Sequence, residues 1–185
     1  ALLAQINKAD LDAFAHIGSQ IRSLLSNAPL PPALAEEIIT AYKALCDEYG
    51  HEVDVAVRSS ATAEDLPEAS FAGQQESYLN IKGAQNLLRA ALNCFASLFT
   101  NRAISYRIDH NFDHLSVALS IGVQKMVRSD KASAGVIFTL DTESGHPEVI
   151  FITSAYGLGE TVVQGSVNPD EFYIHKPTLK QGFKP

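Results

Sequence analysis

The chain has 185 residues, of which 46% are hydrophobic and 19% are charged, and its formal net charge is −7. This composition is typical of a globular chain with one sizeable core or two small lobes, and the acidic balance argues against nucleic-acid or anionic-membrane partners. No apolar run reaches the ~20 residues of a membrane-spanning helix. Cys46 and Cys94 lack paired spacing, which favours two buried thiols in a reducing compartment. We therefore expect a cytoplasmic protein.

Two amphipathic helices are predicted near the start of the chain. Apolar residues recur at helical spacing over residues 10–25, and again over 33–49 after a proline-rich break. Gly50 is the predicted stop of the second helix. Because these helices carry no convincing chemistry, we assign residues 1–50 to a helical segment and residues 51–185 to a separate functional portion.

Strand patterns dominate the rest of the chain. Alternating residues predict a strand over 53–57, which Arg58-Ser-Ser60 ends. Another strand is predicted over 76–81, after a polar loop at 61–75. A single long helix is predicted over 85–107. Further strands rich in β-branched and aromatic residues are predicted over 117–127, 135–140, 149–154 and 171–175. Helices followed by strands with one crossing helix predict an α+β fold.

Arg58 is the residue best suited to phosphate chemistry. An arginine at the end of a strand presents a planar fork of donors that matches phosphate oxygens. The loop behind it is rich in small residues whose backbone N–H groups could face negative charge. An alternative is that Arg58 pairs with an acidic loop residue, Glu64, Asp65 or Glu68, and pins the loop. The residues alone leave both interpretations open.

Other motifs do not support a reaction site. Gly157 and Gly159 follow an apolar strand, but Val162 stands where a dinucleotide fingerprint needs a third glycine. We interpret this stretch as a tight turn that lets a helix pack close to the sheet. His110 and His114 have helical i,i+4 spacing, but no third ligand lies near them. We predict surface histidines, and no metal site in this chain.

One long segment carries a family resemblance. The strings Val57-Arg-Ser-Ser-Ala-Thr-Ala-Glu-Asp65 and Ser70-Phe-Ala-Gly-Gln-Gln-Glu76 resemble the signature of the pyruvate-phosphate dikinase and phosphoenolpyruvate synthase N-terminal domain family. The likeness continues through Gly122-Val-Gln-Lys-Met126, Asp141-Thr-Glu-Ser-Gly145 and Val167-Asn-Pro-Asp-Glu-Phe-Tyr173. The resemblance implies an ATP-grasp-like nucleotide-binding fold, of which the chain would hold a part.

The resemblance also implies roles for particular residues. Arg58 matches the family arginine that contacts ATP phosphates and is the implied catalytic residue. Gly73 and Ser77 match positions that line the nucleotide. Gln124 matches a polar residue beside the adenine, and Met126 would supply a soft apolar contact at the end of the same strand. For Gln124 and Met126, ordinary strand packing remains the alternative.

The implied function is the ATP-binding portion of a dikinase. In the phosphoenolpyruvate synthase members, ATP, pyruvate and water become phosphoenolpyruvate, AMP and phosphate through a phosphohistidine on another domain. The implied cofactors are ATP and Mg²⁺, and the implied partners are the phosphohistidine domain, pyruvate on a further domain and a second subunit in a homodimer. The alternatives are a related dikinase with a rifampin or glucan acceptor, or a non-catalytic nucleotide-binding module.

We expect the chain to be a piece of a longer protein. Its only methionine is Met126, and its C-terminus follows a strand-like segment directly. The resemblance implies that an ATP-contacting lysine precedes Ala1 and that the acidic metal ligands follow Pro185. The chain alone is therefore expected to be inactive and to bind ATP weakly.

Overall fold

A computed structural model describes residues 2, 3, 6, 11–61, 65, 66, 69, 70 and 76–184. The chain divides into a first unit, Ala1–Met126, and a second unit, Val127–Pro185. Each unit combines helices with an antiparallel three-stranded sheet, so the predicted α+β class is confirmed. No helix in the described part of the chain is long and apolar enough to cross a membrane.

The first unit contains four helices and five strands among its described residues. They are α1 (Leu11–Ser26), α2 (Pro32–Tyr49), β1 (Val55–Ala61), β2 (Asp65–Leu66), β3 (Ala69–Ser70), β4 (Ser77–Ile81), α3 (Ala84–Ser97), α4 (Asn101–Asp109) and β5 (Leu119–Lys125). The first two helices lie where their periodicity placed them. Gly50 ends α2 in the left-handed region, with φ 68°, where a residue without Cβ is favoured.

The prediction of a single helix over residues 85–107 is wrong, because α3 ends at Ser97 and a second helix, α4, begins at Asn101. Thr100 lies in an extended conformation before α4, and its hydroxyl accepts a hydrogen bond from the Ala103 N–H at 3.2 Å. This cap satisfies an N–H that has no partner within the first turn of a helix. Apolar residues keep their helical spacing across this junction, so the spacing alone does not reveal where α3 ends.

The core of the first unit lies between one face of a sheet, ordered β4-β1-β5, and the helices α2 and α3. Val55, Val57 and Cys94 are fully buried there. Burial raises the pKa of the Cys94 thiol to about 11, which keeps it protonated and inert. Cys46 is half-buried beside this cluster, and both cysteines are free thiols, as predicted.

The second unit is a three-stranded sheet with two short α-helices. Its elements are β6 (Ser133–Phe138), β7 (Val149–Tyr156), α5 (Gly159–Val163), β8 (Asp170–His175) and α6 (Lys176–Lys180), with the strands in the order β6-β7-β8. The chain turns into α5 at Gly157, which has φ 91°. A Cβ on Gly159 would lie 3.6 Å from the Ala134 Cβ, so the start of α5 packs against β6.

A buried arginine organises the end of α4. Arg107 donates from Nε to His114 Nδ1 at 3.0 Å and from Nη2 to the Leu98 carbonyl oxygen at 2.5 Å. Burial lowers the pKa of Arg107 to about 10, so the guanidinium keeps its charge at neutral pH. His114 is half-buried, so its predicted surface location is wrong, whereas His110 is exposed as predicted. The two histidines therefore differ in role despite their helical spacing.

The His114 contact predicts a pH-dependent stability. Burial, followed by the charge of Arg107, lowers the pKa of His114 below its usual value of about 6.5. As the pH falls, His114 therefore takes up a proton at a higher pH in the unfolded chain than in the folded chain. The free energy of unfolding consequently decreases as the pH drops below about 6.5. His114→Asn keeps an acceptor near the Nδ1 position but does not titrate. We expect this variant to have a flatter profile of unfolding free energy between about pH 5 and 7.

Urea unfolding at several pH values measures this effect. The matched control is His16→Asn, because His16 is exposed on α1 and lies in the same unit. The control should retain the wild-type pH profile. If His114→Asn and His16→Asn gave the same slope, the burial of His114 beside the charge of Arg107 would not be the source of the pH dependence.

Candidate functional site

Arg58 lies on the solvent-facing side of the first sheet. Along β1, Val57 and Ala61 are buried and Ser59 is half-buried, whereas Arg58 and Ser60 are exposed. The pairing of β1 with β5 continues to Ala61, so Arg58 lies within the strand. The prediction that Arg58-Ser-Ser60 ends the strand is therefore wrong, because β1 continues through these residues to Ala61. The sheet backbone fixes the Cα of Arg58 on both sides, which a loop would not do.

The sheet register brings three of the predicted site residues onto one face. Arg58 is paired with Ser77 of β4 on one side and with Gly122 of β5 on the other, and Ala56 is paired with Gln124. Directly opposed residues in an antiparallel sheet point to the same face, as do residues two apart along a strand. We call this surface the polar face; its members are Arg58, Ser60, Ser77, Ser120, Gly122 and Gln124, all exposed.

A β-bulge in β4 sets the position of Ser77. Val55 pairs with Ile81 and Val57 pairs with Tyr78, so β4 carries one extra residue between these pairs. Asn80 lies in this stretch with φ 56°, a left-handed conformation that asparagine tolerates better than most residues. Tyr78 and Ile81 both pack against the core on the inner side. The bulge thus allows Ser77 to lie opposite Arg58 while Ile81 stays in the core.

Replacing Asn80 tests this role of the bulge. A β-branched residue is strongly disfavoured at positive φ, so Asn80→Val is expected to lose about 1–3 kcal/mol of unfolding free energy. Asn80→Gly, which adopts this conformation freely, should remain close to the wild type or gain stability. Urea unfolding compares the two. Equal losses in both variants would show that the side chain of Asn80, not its backbone conformation, matters.

The end of β5 has side-chain and main-chain groups that could contact a ligand. The Met126 N–H donates to the Asp54 carbonyl oxygen at 2.8 Å, so this N–H is not available to a ligand. Because hydrogen-bonded pairs alternate along an antiparallel ladder, the N–H and C=O of Lys125 point away from β1. Within the described part of the chain, β5 pairs only with β1. Lys125 therefore presents a donor and an acceptor at an open strand edge, next to the exposed Gln124.

Part of the predicted site cannot be placed. Gly73 lies outside the described residues, as do Glu64 and Glu68, and only the backbone of Asp65 is described. Arg58 has no ion pair with another described side chain. The predicted pairing of Arg58 with an acidic loop residue thus lies outside the described residues.

Sequence reasoning did not select Gly122 or Asn80. Gly122 was visible in principle, because it stands two residues before Gln124 and the alternation of a strand puts both on one face. Asn80 could not be found, because a bulge depends on the register between two strands. Both residues lie next to those that the resemblance did identify.

The chain matches known proteins over its whole length. Residues 1–184 match the family described as pyruvate phosphate dikinase, AMP/ATP-binding domain. The chain is 58% identical to phosphoenolpyruvate synthase of Helicobacter pylori over 185 residues, which cover 100% of the chain and 23% of that protein. It is 60% identical to phosphoenolpyruvate synthase of Pseudomonas aeruginosa over 182 residues, covering 98% of the chain and 23% of that protein.

A third relative extends the same pattern. Phosphoenolpyruvate synthase of Escherichia coli is 56% identical over 177 residues, covering 94% of the chain and 22% of that protein. The chain thus spans less than a quarter of the length of these relatives. The family match covers both structural units, and it confirms the family that the sequence motifs indicated. The chain belongs to the pyruvate phosphate dikinase AMP/ATP-binding domain family.

Proposed function

We propose that the polar face binds ATP, with Arg58 on the phosphates and Gln124 and Met126 toward the adenine. The observation that carries this proposal is the register that sets Arg58 directly between Ser77 and Gly122. A guanidinium beside a hydroxyl forms charge-assisted hydrogen bonds to phosphate oxygens, and a strand edge at Lys125 pairs well with a purine. Gly73 is proposed to line the same nucleotide from the loop between β1 and β4.

We propose that the longer protein converts ATP, pyruvate and water to phosphoenolpyruvate, AMP and phosphate. The support is the family match and the relatives, which are named phosphoenolpyruvate synthase. Phosphoryl transfer depends mostly on positioning and on neutralising the charge of the phosphates. Arg58 would hold the phosphates, and a histidine on another domain would accept the phosphoryl group. Pyruvate would bind to a third domain.

The magnesium ion is proposed to be held by residues outside this chain. No group of three His, Cys, Asp or Glu side chains that could hold a metal lies among them. The polar face carries hydroxyl, amide and guanidinium groups but no carboxylate, and Mg²⁺ prefers carboxylate oxygens. We propose that MgATP is the substrate and that carboxylates outside this chain hold the ion. The chain's own part is to bind and orient the nucleotide.

The remaining proposals concern organisation. We propose that residues 1–50 are a helical segment of an ATP-grasp-like domain and that residues 51–185 are its nucleotide-binding portion. The chain alone is proposed to be inactive, because the phosphohistidine and pyruvate domains would lie elsewhere in a homodimeric protein. Two free thiols, Cys46 and Cys94, support the proposal of a cytoplasmic location.

Phosphorus NMR of the longer protein tests the proposed reaction. The protein is incubated with ATP, MgCl₂ and pyruvate, and the expected products are phosphoenolpyruvate, AMP and orthophosphate in equal amounts. Omitting pyruvate is the control and should abolish phosphoenolpyruvate. If ATP were consumed equally without pyruvate, or if none were consumed, the acceptor would be a different molecule or the domain would only bind nucleotide.

A further inference from the structure

Gly122 has no structural reason to be glycine in the described part of the chain. Its φ does not lie in the left-handed region that favours glycine, in contrast to Gly50, Gly83 and Gly157. A Cβ built on Gly122 would meet only the Arg58 carbonyl oxygen, at 3.9 Å, which is ordinary van der Waals contact. Glycine inside a strand lowers stability, because it adds backbone entropy to the unfolded state and packs nothing. The residue therefore reduces stability without any benefit to the fold.

Gly135 of β6, unlike Gly122, has a structural reason to be glycine. A Cβ on Gly135 would overlap the carbonyl oxygen of Thr153 and would lie 2.8 Å from the carbonyl carbon of that residue. Close approach of the neighbouring backbone thus explains glycine at position 135. No described atom approaches Gly122 in this way, so the space above it is open to a ligand.

The position of Gly122 on the polar face indicates which ligand would use this space. Gly122 lies directly beside Arg58 and two residues before Gln124 on the same strand face. The spacing of neighbouring strands is about 4.8 Å, and alternate residues along a strand lie about 6.7 Å apart. A molecule with phosphates at Arg58 and a base toward Gln124 would therefore lie along the diagonal between Gly122 and Ala56, beside the Cα of Gly122. A branched side chain there would occupy the same volume.

We propose that Gly122 determines which ligands the polar face accepts, because its missing side chain leaves room for the ribose and phosphates of a nucleotide to lie on β5. This inference rests on the proposed function and adds a residue that contacts the ligand through its backbone surface. Glycine in a strand often marks such a close approach of a ligand.

Substitution of Gly122 in the longer protein tests the inference. Gly122→Val should fold with unchanged or higher melting temperature, because valine favours strands and nothing obstructs its Cβ. ATP affinity, measured by isothermal titration calorimetry with MgCl₂, should fall by about tenfold or more, since overfilling a packed contact typically costs that much. Gly122→Ala should give a smaller loss. Val123→Ile is the matched control, because Val123 lines an apolar groove on the opposite face of the same strand.

The outcomes separate this inference from the proposed function. Weaker ATP binding in both Gly122→Val and Arg58→Ala, with Val123→Ile unchanged, supports both. Weaker binding in Arg58→Ala together with wild-type binding in Gly122→Val would overturn the role of Gly122 alone. If Arg58→Ala bound ATP as the wild type does, the proposed nucleotide site would be wrong, and the inference about Gly122 would be overturned with it.

Discussion

Arg58→Ala is expected to weaken ATP binding by the longer protein about 10- to 100-fold, because charge-assisted hydrogen bonds to phosphate contribute about 1.5–3 kcal/mol each. Arg58 is exposed and lies between Ser77 and Gly122 in the sheet, so its removal leaves no buried cavity. The melting temperature should therefore stay near that of the wild type. Isothermal titration calorimetry with ATP and MgCl₂ measures the affinity, and circular dichroism measures the melting.

Two further variants make the Arg58 result specific. Arg58→Lys keeps the charge but loses the planar fork, so it should restore only part of the affinity. Arg102→Ala removes an exposed arginine at the start of α4, away from the polar face, and should bind ATP as the wild type does. Equal affinity losses in Arg58→Ala and Arg102→Ala would point to overall charge instead of a phosphate contact.

Gly135→Ala is expected to destabilise the second unit by about 3 kcal/mol or more, beyond the range of most core overpacking. The new Cβ would overlap the Thr153 carbonyl oxygen and approach the Ser154 Cα to 2.9 Å. Both atoms belong to the backbone of β7, which is held between β6 and β8. They cannot move away without breaking the pairs that join Gly135 to Ser154 and Val136 to Thr153. Thermal unfolding followed by circular dichroism measures the loss.

Gly122→Ala provides the comparison for this experiment. It makes the same chemical change in a central part of another strand, but its Cβ finds open space. Its melting temperature should equal or exceed that of the wild type, because alanine restricts the unfolded chain more than glycine does. If the two alanine variants melted at the same temperature, the close approach of β6 and β7 at Gly135 would be wrong.

Local patterns predicted most of the elements of this fold. The spacing of apolar residues located α1 and α2, and Gly50 marked the end of α2 because a left-handed residue is needed there. Residue types typical of strands located β4 and β5 to within two residues. These elements could be predicted because the residues that define each of them lie within a short stretch of sequence.

Contacts that the spacing of apolar residues does not encode account for the predictions that were wrong. Ser59 and Ser60 have little intrinsic preference for strands, so only their pairing with β5 extends β1 past Arg58. Thr100 interrupts a helical apolar period through a single capping hydrogen bond. His114 is half-buried and accepts a hydrogen bond from Arg107 of α4. None of these contacts has a signal in the spacing of residues.

The candidate site was predicted only in part for the same reason. The family motifs identified Arg58, Ser77 and Gln124 separately, but sequence order does not say that they share a face. The register of β1 with β4 and β5 supplies that fact, and it depends on the bulge at Asn80. Gly122 became a candidate only once the register placed it beside Arg58.

The central claim is that ATP binds on the polar face of the first sheet. The most direct test is a crystal structure of the longer protein with MgCl₂ and a non-hydrolysable ATP analogue. We predict that the phosphates contact the Arg58 guanidinium, that the ribose lies over Gly122, and that the base lies beside Gln124 and the main chain of Lys125. A nucleotide bound elsewhere, with Arg58 free in solvent, would contradict the account.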